Sequence, residues 1–165
     1  MKIKVLTVLA AASFLLWGGI RAYDNVQFSR LCIDHLKRAA DSNTIPMAEQ
    51  ELTTAIAYLD ANHVTTGYTS ILYQSPSEDI GFWYGNLTAS LARLKSVPAD
   101  ASLLEQSNLL LKLRETLLDH GKDGESVTSP EGLSIYPDNS AFNLWAWISF
   151  ILFCVGGVSW AHDCW

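Results

Sequence analysis

Charge is scarce in this 165-residue sequence. Asp, Glu, Lys and Arg make up 17% of it, against roughly 25% in ordinary soluble domains. Disordered chains and nucleic-acid-binding chains need high charge and little apolar content, so both classes are excluded and no nucleic-acid partner is expected. Cysteine is scarce too. Cys32, Cys154 and Cys164 are the only three, too few and too scattered for a disulfide framework. The sequence also lacks a glycine-rich phosphate loop, a nucleophile elbow, a zinc-type cysteine pair and a His-Glu-x-x-His helix. Nothing in it gives a reason to propose an enzyme, a cofactor or a metal. Its four histidines, His35, His63, His120 and His162, are spread along the chain. They are expected at surfaces or helix ends, because a metal needs three or more converging ligands.

Apolar residues are abundant instead. They make up 49% of the chain, and the surplus lies at the two ends. Over residues 3–20 the only polar side chains are Lys4, Thr7 and Ser13, and residues 141–161 contain no charge. A bilayer core of roughly 30 Å takes about 20 such residues as a helix. Trp17, Trp145, Trp147, Trp160 and Trp165 lie at or just beyond the ends of these runs, where membrane boundaries favour tryptophan. Residues 141–161 are predicted to span a membrane. Residues 3–20 have two possible roles. Lys2 and Lys4 followed by an apolar stretch also begin a secretory signal, with cleavage after Ala22. The run exceeds the ~7–15 residues of a usual signal core, which favours an uncleaved anchor. Two anchors place both termini on one side and the middle on the other. Loops longer than about 60 residues translocate largely regardless of charge, so the middle is predicted to be extracytoplasmic.

Residues 21–140 carry 16 acidic and 9 basic side chains, the composition of an acidic soluble domain. Residues 21–120 are predicted to form a four-helix bundle-like domain in an all-α protein, with 121–140 an irregular linker. Val26, Ile33, Leu36 and Ala40 mark the first helix face. Pro46 suits the first turn of the second helix, whose face is Ala48, Leu52, Ala55 and Leu59. Ser75, Pro76 and Glu78 start the third, with Ile80, Trp83, Leu87, Leu91 and Leu94 on its apolar face. The fourth is predicted from Ala101 to His120 with Gly121 as its cap. Its leucines recur in two heptad rows, Leu103, Leu110, Leu117 and Leu104, Leu111, Leu118. Residues 62–77 are either a loop packed on the bundle or a short extended segment.

Candidate sites are few. Tyr68, Tyr73, Phe82, Trp83 and Tyr84 cluster in sequence, and Tyr136 can join them. They serve either as core or as a partner or ligand surface, the latter because aromatics are enriched at interfaces. Consecutive residues 82–84 cannot all face one core from a helix. Arg114, at the edge of the leucine stripe, is either a partly exposed ion pair or an anion-binding group. In the spans, Gly18, Gly19, Gly156, Gly157 and Ala161 are candidate helix-packing positions, Gly157 and Ala161 having small-xxx-small spacing. In an antiparallel hairpin the two glycine pairs fall near opposite leaflets, so any packing between spans through them is expected to involve another molecule. Alternatively, glycine is simply common in spans. Cys32, on an apolar helix face, is expected to be a buried free thiol.

Cys32-Ile33-Asp34-His35-Leu36, Gly67-Tyr68-Thr69-Ser70, Glu78-Asp79-Ile80-Gly81-Phe82-Trp83-Tyr84 and Leu113-Arg114-Glu115-Thr116-Leu117 carry a resemblance. In these stretches the chain resembles an uncharacterised family of bacterial, cyanobacterial-type, two-span membrane proteins. The resemblance implies only a bacterial membrane location and transfers no functional residue; the inner membrane is the expected one. Together these features lead to the expectation of a membrane-anchored interaction or scaffold subunit. It would contact membrane lipid and either a protein partner or further copies of itself. The alternative is a ligand-sensing domain that signals through a separate protein.

Overall fold

The computed structural model describes residues 2–70, 74–98, 100–121, 124–135 and 140–162. The chain is mostly helical. Its residues group into two compact units, Met1–Asn25 with Asn139–Trp165, and Val26–Asp138.

The first unit pairs helix α1 (Lys2–Phe28) with helix α6 (Ser140–His162). Rising numbers in α1 meet falling numbers in α6, so the pair is antiparallel. Thr7 lies against Gly156, Ser13 Oγ is 3.0 Å from Ser149 Oγ, and the Trp17 and Phe142 rings are 5.8 Å apart. Both helices are long and apolar enough to cross a membrane. The polarity of the pair is inverted relative to a soluble core. Thr7 and Ser149 are buried, while Leu15, Leu16, Val155 and Val158 are exposed.

The second unit begins at the C-terminal end of α1, where a π-helical turn (Ser29–Ile33) leads into α2 (Asp34–Ala40). Phe28, Cys32, Leu36, Ala39 and Ala40 form the buried face. Val26 does not belong to it and is exposed, because it lies two residues before Phe28 and so about 200° away around the helix. Helix α3 (Ile45–Ala61) carries Pro46 in its first turn and buries Ala48, Leu52, Ala55 and Leu59 completely.

The end of α3 explains one histidine. Val64 N–H donates to Leu59 O at 2.9 Å and His63 N–H to Asp60 O at 3.1 Å. This is the Schellman bond pair, and Val64 and Leu59, both fully buried, supply its apolar contact. The motif puts His63 at φ 58°, a region glycine adopts without penalty. His63→Gly is therefore expected to stabilise the unit by roughly 1 kcal/mol. Thermal unfolding checks it, a lowered midpoint being the contrary result.

Residues 62–70 and 74–79 form a packed loop with one extended contact. Tyr68 bridges to Asp79, and Ile80 N–H donates to Gly67 O at 3.0 Å. The capping box at Ser75 and Glu78 is present, but it opens a 3-10 turn (Pro76–Glu78). Helix α4 (Ile80–Lys95) starts later, with Asp79 Oδ1 accepting from Phe82 N–H at 3.0 Å. Its buried residues are Ile80, Trp83, Leu87 and Leu94.

Helix α5 (Leu103–Leu117) ends three residues before the expected His120. Leu118–Gly121 is instead strand β1, paired antiparallel with β2 (Gly124–Val127), Leu118 opposite Val127. Pairing with β2 takes up the backbone N–H and C=O groups of Leu118–Gly121 that a further helical turn would have used. Leu117 and Leu118 are both buried. The heptad rows are divided in consequence. Leu117 and Leu118 are core, Leu110 is partly buried against it, and Leu103, Leu104 and Leu111 are exposed. The stretch 121–140, expected to be an irregular linker, contains strand β2. Its Leu133 and Ile135 pack against the core. Helices α2, α3, α4 and α5 share that core.

Candidate functional site

Helix α4 separates its three consecutive aromatics. Trp83 is core, and its indole Nε1–H donates to Thr128 O at 2.7 Å. Tyr84 is half-buried and its hydroxyl donates to Asp60 Oδ1 at 2.5 Å. That bond, burial, and the carboxylate's charge push the phenol above its ordinary value. Phe82 points outward, 68% exposed. Tyr68 is half-buried in the loop that bridges to Asp79. Tyr73 and Tyr136 lie outside the described residues.

Arg114 ties three segments together. Its Nη1 lies 3.0 Å from Asp41 Oδ1 at the end of α2, and its Nη2 lies 2.6 Å from Glu125 Oε2 on β2. All three side chains are partly exposed, so water screens both pairs. Arg114→Ala is expected to cost about 1 kcal/mol, less at high salt. Urea unfolding at low and high salt checks it, a loss above ~3 kcal/mol contradicting the screened picture.

One polar cluster left no sequence signal. Glu51 of α3, nearly buried, accepts from His35 Nδ1–H at 2.6 Å and meets Arg38 Nη2 at 2.5 Å. His35 and Arg38 are one turn apart on α2, and only the packing of α2 on α3 brings Glu51 to them. The cluster fastens the hairpin. Among the described residues no group of three His, Cys, Asp or Glu side chains is arranged to hold a metal.

Cys32 is a free, fully buried thiol. Burial pushes its pKa up to about 12, and the thiol rather than the thiolate is what persists at neutral pH. In a chain lacking Cys154 and Cys164, native Cys32 is expected to react with a maleimide at pH 8 on the order of a hundredfold more slowly than the denatured chain. Equal rates would contradict the burial. The linkage has a definite sign. Below the ordinary value of 9.0 both folded and unfolded thiols keep their proton. Between there and about 12 only the unfolded one ionises, so stability falls as pH rises through that window.

No family model, curated protein or solved structure matches the chain. Its surfaces are therefore judged on their own chemistry.

In the first unit, Gly156 is a close-contact position. A Cβ there would sit 2.1 Å from Thr7 Oγ1 and 3.0 Å from Thr7 Cβ. Its neighbour belongs to the same chain, which departs from the expectation of an intermolecular contact. Threonine, not glycine, faces it, so antiparallel glycine pairs need not meet. Cβ positions at Gly18, Gly19 and Gly157 face open space. The Ala161 side chain lies outside the described set.

A concave feature of the helical unit lies where α4 ends and α5 begins. It is a groove of about 460 Å³ with Val97, Pro98, Leu104 and Leu109 along it and Arg93 and Lys112 beside them. Ser102 starts α5 there, its Oγ accepting from Glu105 N–H at 3.2 Å. Leu103 (83%), Leu104 (72%) and Leu111 (56%) stand exposed on the same helix. Proline and the Ser102 cap mark the groove's edge in the sequence. The exposure of these leucines was not legible, since their heptad spacing is also that of a core stripe.

Proposed function

We propose that the chain is a membrane-anchored helical interaction or scaffold subunit. In this reading α1 and α6 cross a bilayer, and α2–α5 form a bundle on its extracytoplasmic side. One observation carries it, the inverted polarity of the α1–α6 pair. In water the exposed apolar side chains would cost roughly 25 cal/mol per Å² left uncovered. In lipid the same arrangement is favourable. Helices there associate through small residues and interhelical hydrogen bonds, with apolar side chains outward. Ser13 Oγ takes a hydrogen bond from Trp145 Nε1–H at 2.8 Å and lies 3.0 Å from Ser149 Oγ. Thr7, Ala10, Ser149 and Gly156 are the buried small residues of the pair.

The acidic helical unit supplies what faces solvent. Phe82, Leu103, Leu104 and Leu111 are large apolar side chains left uncovered there, which supports an interaction role over a purely structural one. In this reading the bilayer is a bacterial inner membrane.

Orientation is tested by placing a cysteine at exposed Lys95 in a chain without Cys154 and Cys164. Cys32 stays, being buried. A membrane-impermeant maleimide is expected to label Lys95→Cys in intact cells. Labelling only after lysis would place the bundle in the cytoplasm. Purification in mild detergent is expected to yield a stable hetero- or homo-oligomer, and a clean monomer would count against the interaction role.

A further inference from the structure

The groove at the start of α5 combines apolar side chains, two cations outside any ion pair among the described residues, and an exposed apolar ridge beside it. Val97, Pro98, Leu104 and Leu109 give the floor. Arg93 from α4 and Lys112 from α5 stand on its walls. Elsewhere in the unit Arg38 and Arg114 spend their charge on Glu51, Asp41 and Glu125. Arg93 and Lys112 form no ion pair among the described residues. Glu105 shares the groove, so the local balance is one positive charge. That is opposite in sign to a region with 16 acidic and 9 basic side chains.

We propose that this groove docks an acidic amphipathic helix of a partner protein. The proposal rests on the interaction role above and names the partner's chemistry. Charge complementarity selects an acidic occupant, because carboxylates can pair with Arg93 and Lys112 while neighbouring apolar side chains fill the floor. The ridge selects a helix over a small anion. Leu104 and Leu111 are seven residues apart on one face of α5 and both exposed, so apolar contact continues for about 10 Å along the axis. A partner helix meets such a ridge with side chains at i, i+3 or i+4, and i+7. A small anion would satisfy the cations and leave Leu111 bare.

A photocrosslinking residue at exposed Asn108, on the groove wall, tests this in the full-length chain in its own membranes. A second probe at Phe82 samples a different exposed position. The adducted peptides are sequenced. The Asn108 probe is expected to capture a segment of another protein with apolar residues at helical spacing and flanking Asp or Glu. Arg93→Glu combined with Lys112→Glu is expected to cut that adduct about tenfold or more, and both positions are exposed, so the helical signal by circular dichroism is expected to stay unchanged. An adduct with a second copy of this chain, with a neutral or basic segment, or one indifferent to charge reversal overturns the proposal. So does no adduct at Asn108. If Phe82 still captures a partner in that case, the interaction role stands and only the groove is lost. Silence from both probes removes both.

Discussion

Gly156→Ala is expected to push α1 and α6 apart, and Gly156→Leu to separate them. Even the single methyl of alanine would come within 2.1 Å of Thr7 Oγ1. Rotating the threonine does not relieve it, since Thr7 Cβ is 3.0 Å and Cγ2 is 3.3 Å away. Overpacking of this kind costs about 1–3 kcal/mol, and more for leucine. The readout is a disulfide between Ser13→Cys and Ser149→Cys, whose parent hydroxyls are 3.0 Å apart. Without the native Cys154 and Cys164, oxidation is expected to cross-link that pair efficiently. Gly156→Leu is expected to reduce the yield about fivefold or more. Thr7→Gly is expected to restore it in the alanine variant, because it vacates the space the methyl needs. An unchanged yield in Gly156→Leu would mean that the helices do not approach at this point.

The second large effect is expected at Trp83. Its ring is buried and its indole N–H holds Thr128. Trp83→Ala removes both and is expected to cost about 3–5 kcal/mol. Against a total of roughly 5–15 kcal/mol that is a large share of the unit's stability. Trp83→Phe keeps most of the packing and removes the hydrogen bond to Thr128, an exposed residue, for a cost of about 0.5–1.5 kcal/mol. Denaturant unfolding in detergent reads both values. Hydrogen exchange adds a local signature, with residues 128–135 losing protection in Trp83→Phe before α3 does. A loss below about 1 kcal/mol in Trp83→Ala would show that the tryptophan is not a core residue.

Much of the helical architecture was legible because it depends on local pattern. Ala48, Leu52, Ala55 and Leu59 keep helical spacing and are all fully buried. Ile80, Trp83, Leu87 and Leu94 keep it too and are buried, and the two apolar ends became the two long apolar helices. The misplaced features depend on what packs against what. Leu118 looks like a heptad position, yet it is a strand residue, because the β1–β2 pairing takes over the backbone there. Leu103, Leu104 and Leu111 carry the same heptad signal as Leu117, and no neighbour covers them among the described residues. Glu51 joins His35 and Arg38 only through the α2–α3 pairing. Periodicity reports which face of a helix is apolar, and not whether another element is there to cover it.

The central claim is that α1 and α6 together hold this chain in a bilayer. Intact mass spectrometry of the chain recovered from carbonate-washed membranes tests it most directly. The expected result is a full-length chain in the membrane pellet, with residues 2–22 still attached. A chain in the carbonate wash, or one that begins at Tyr23, would contradict it.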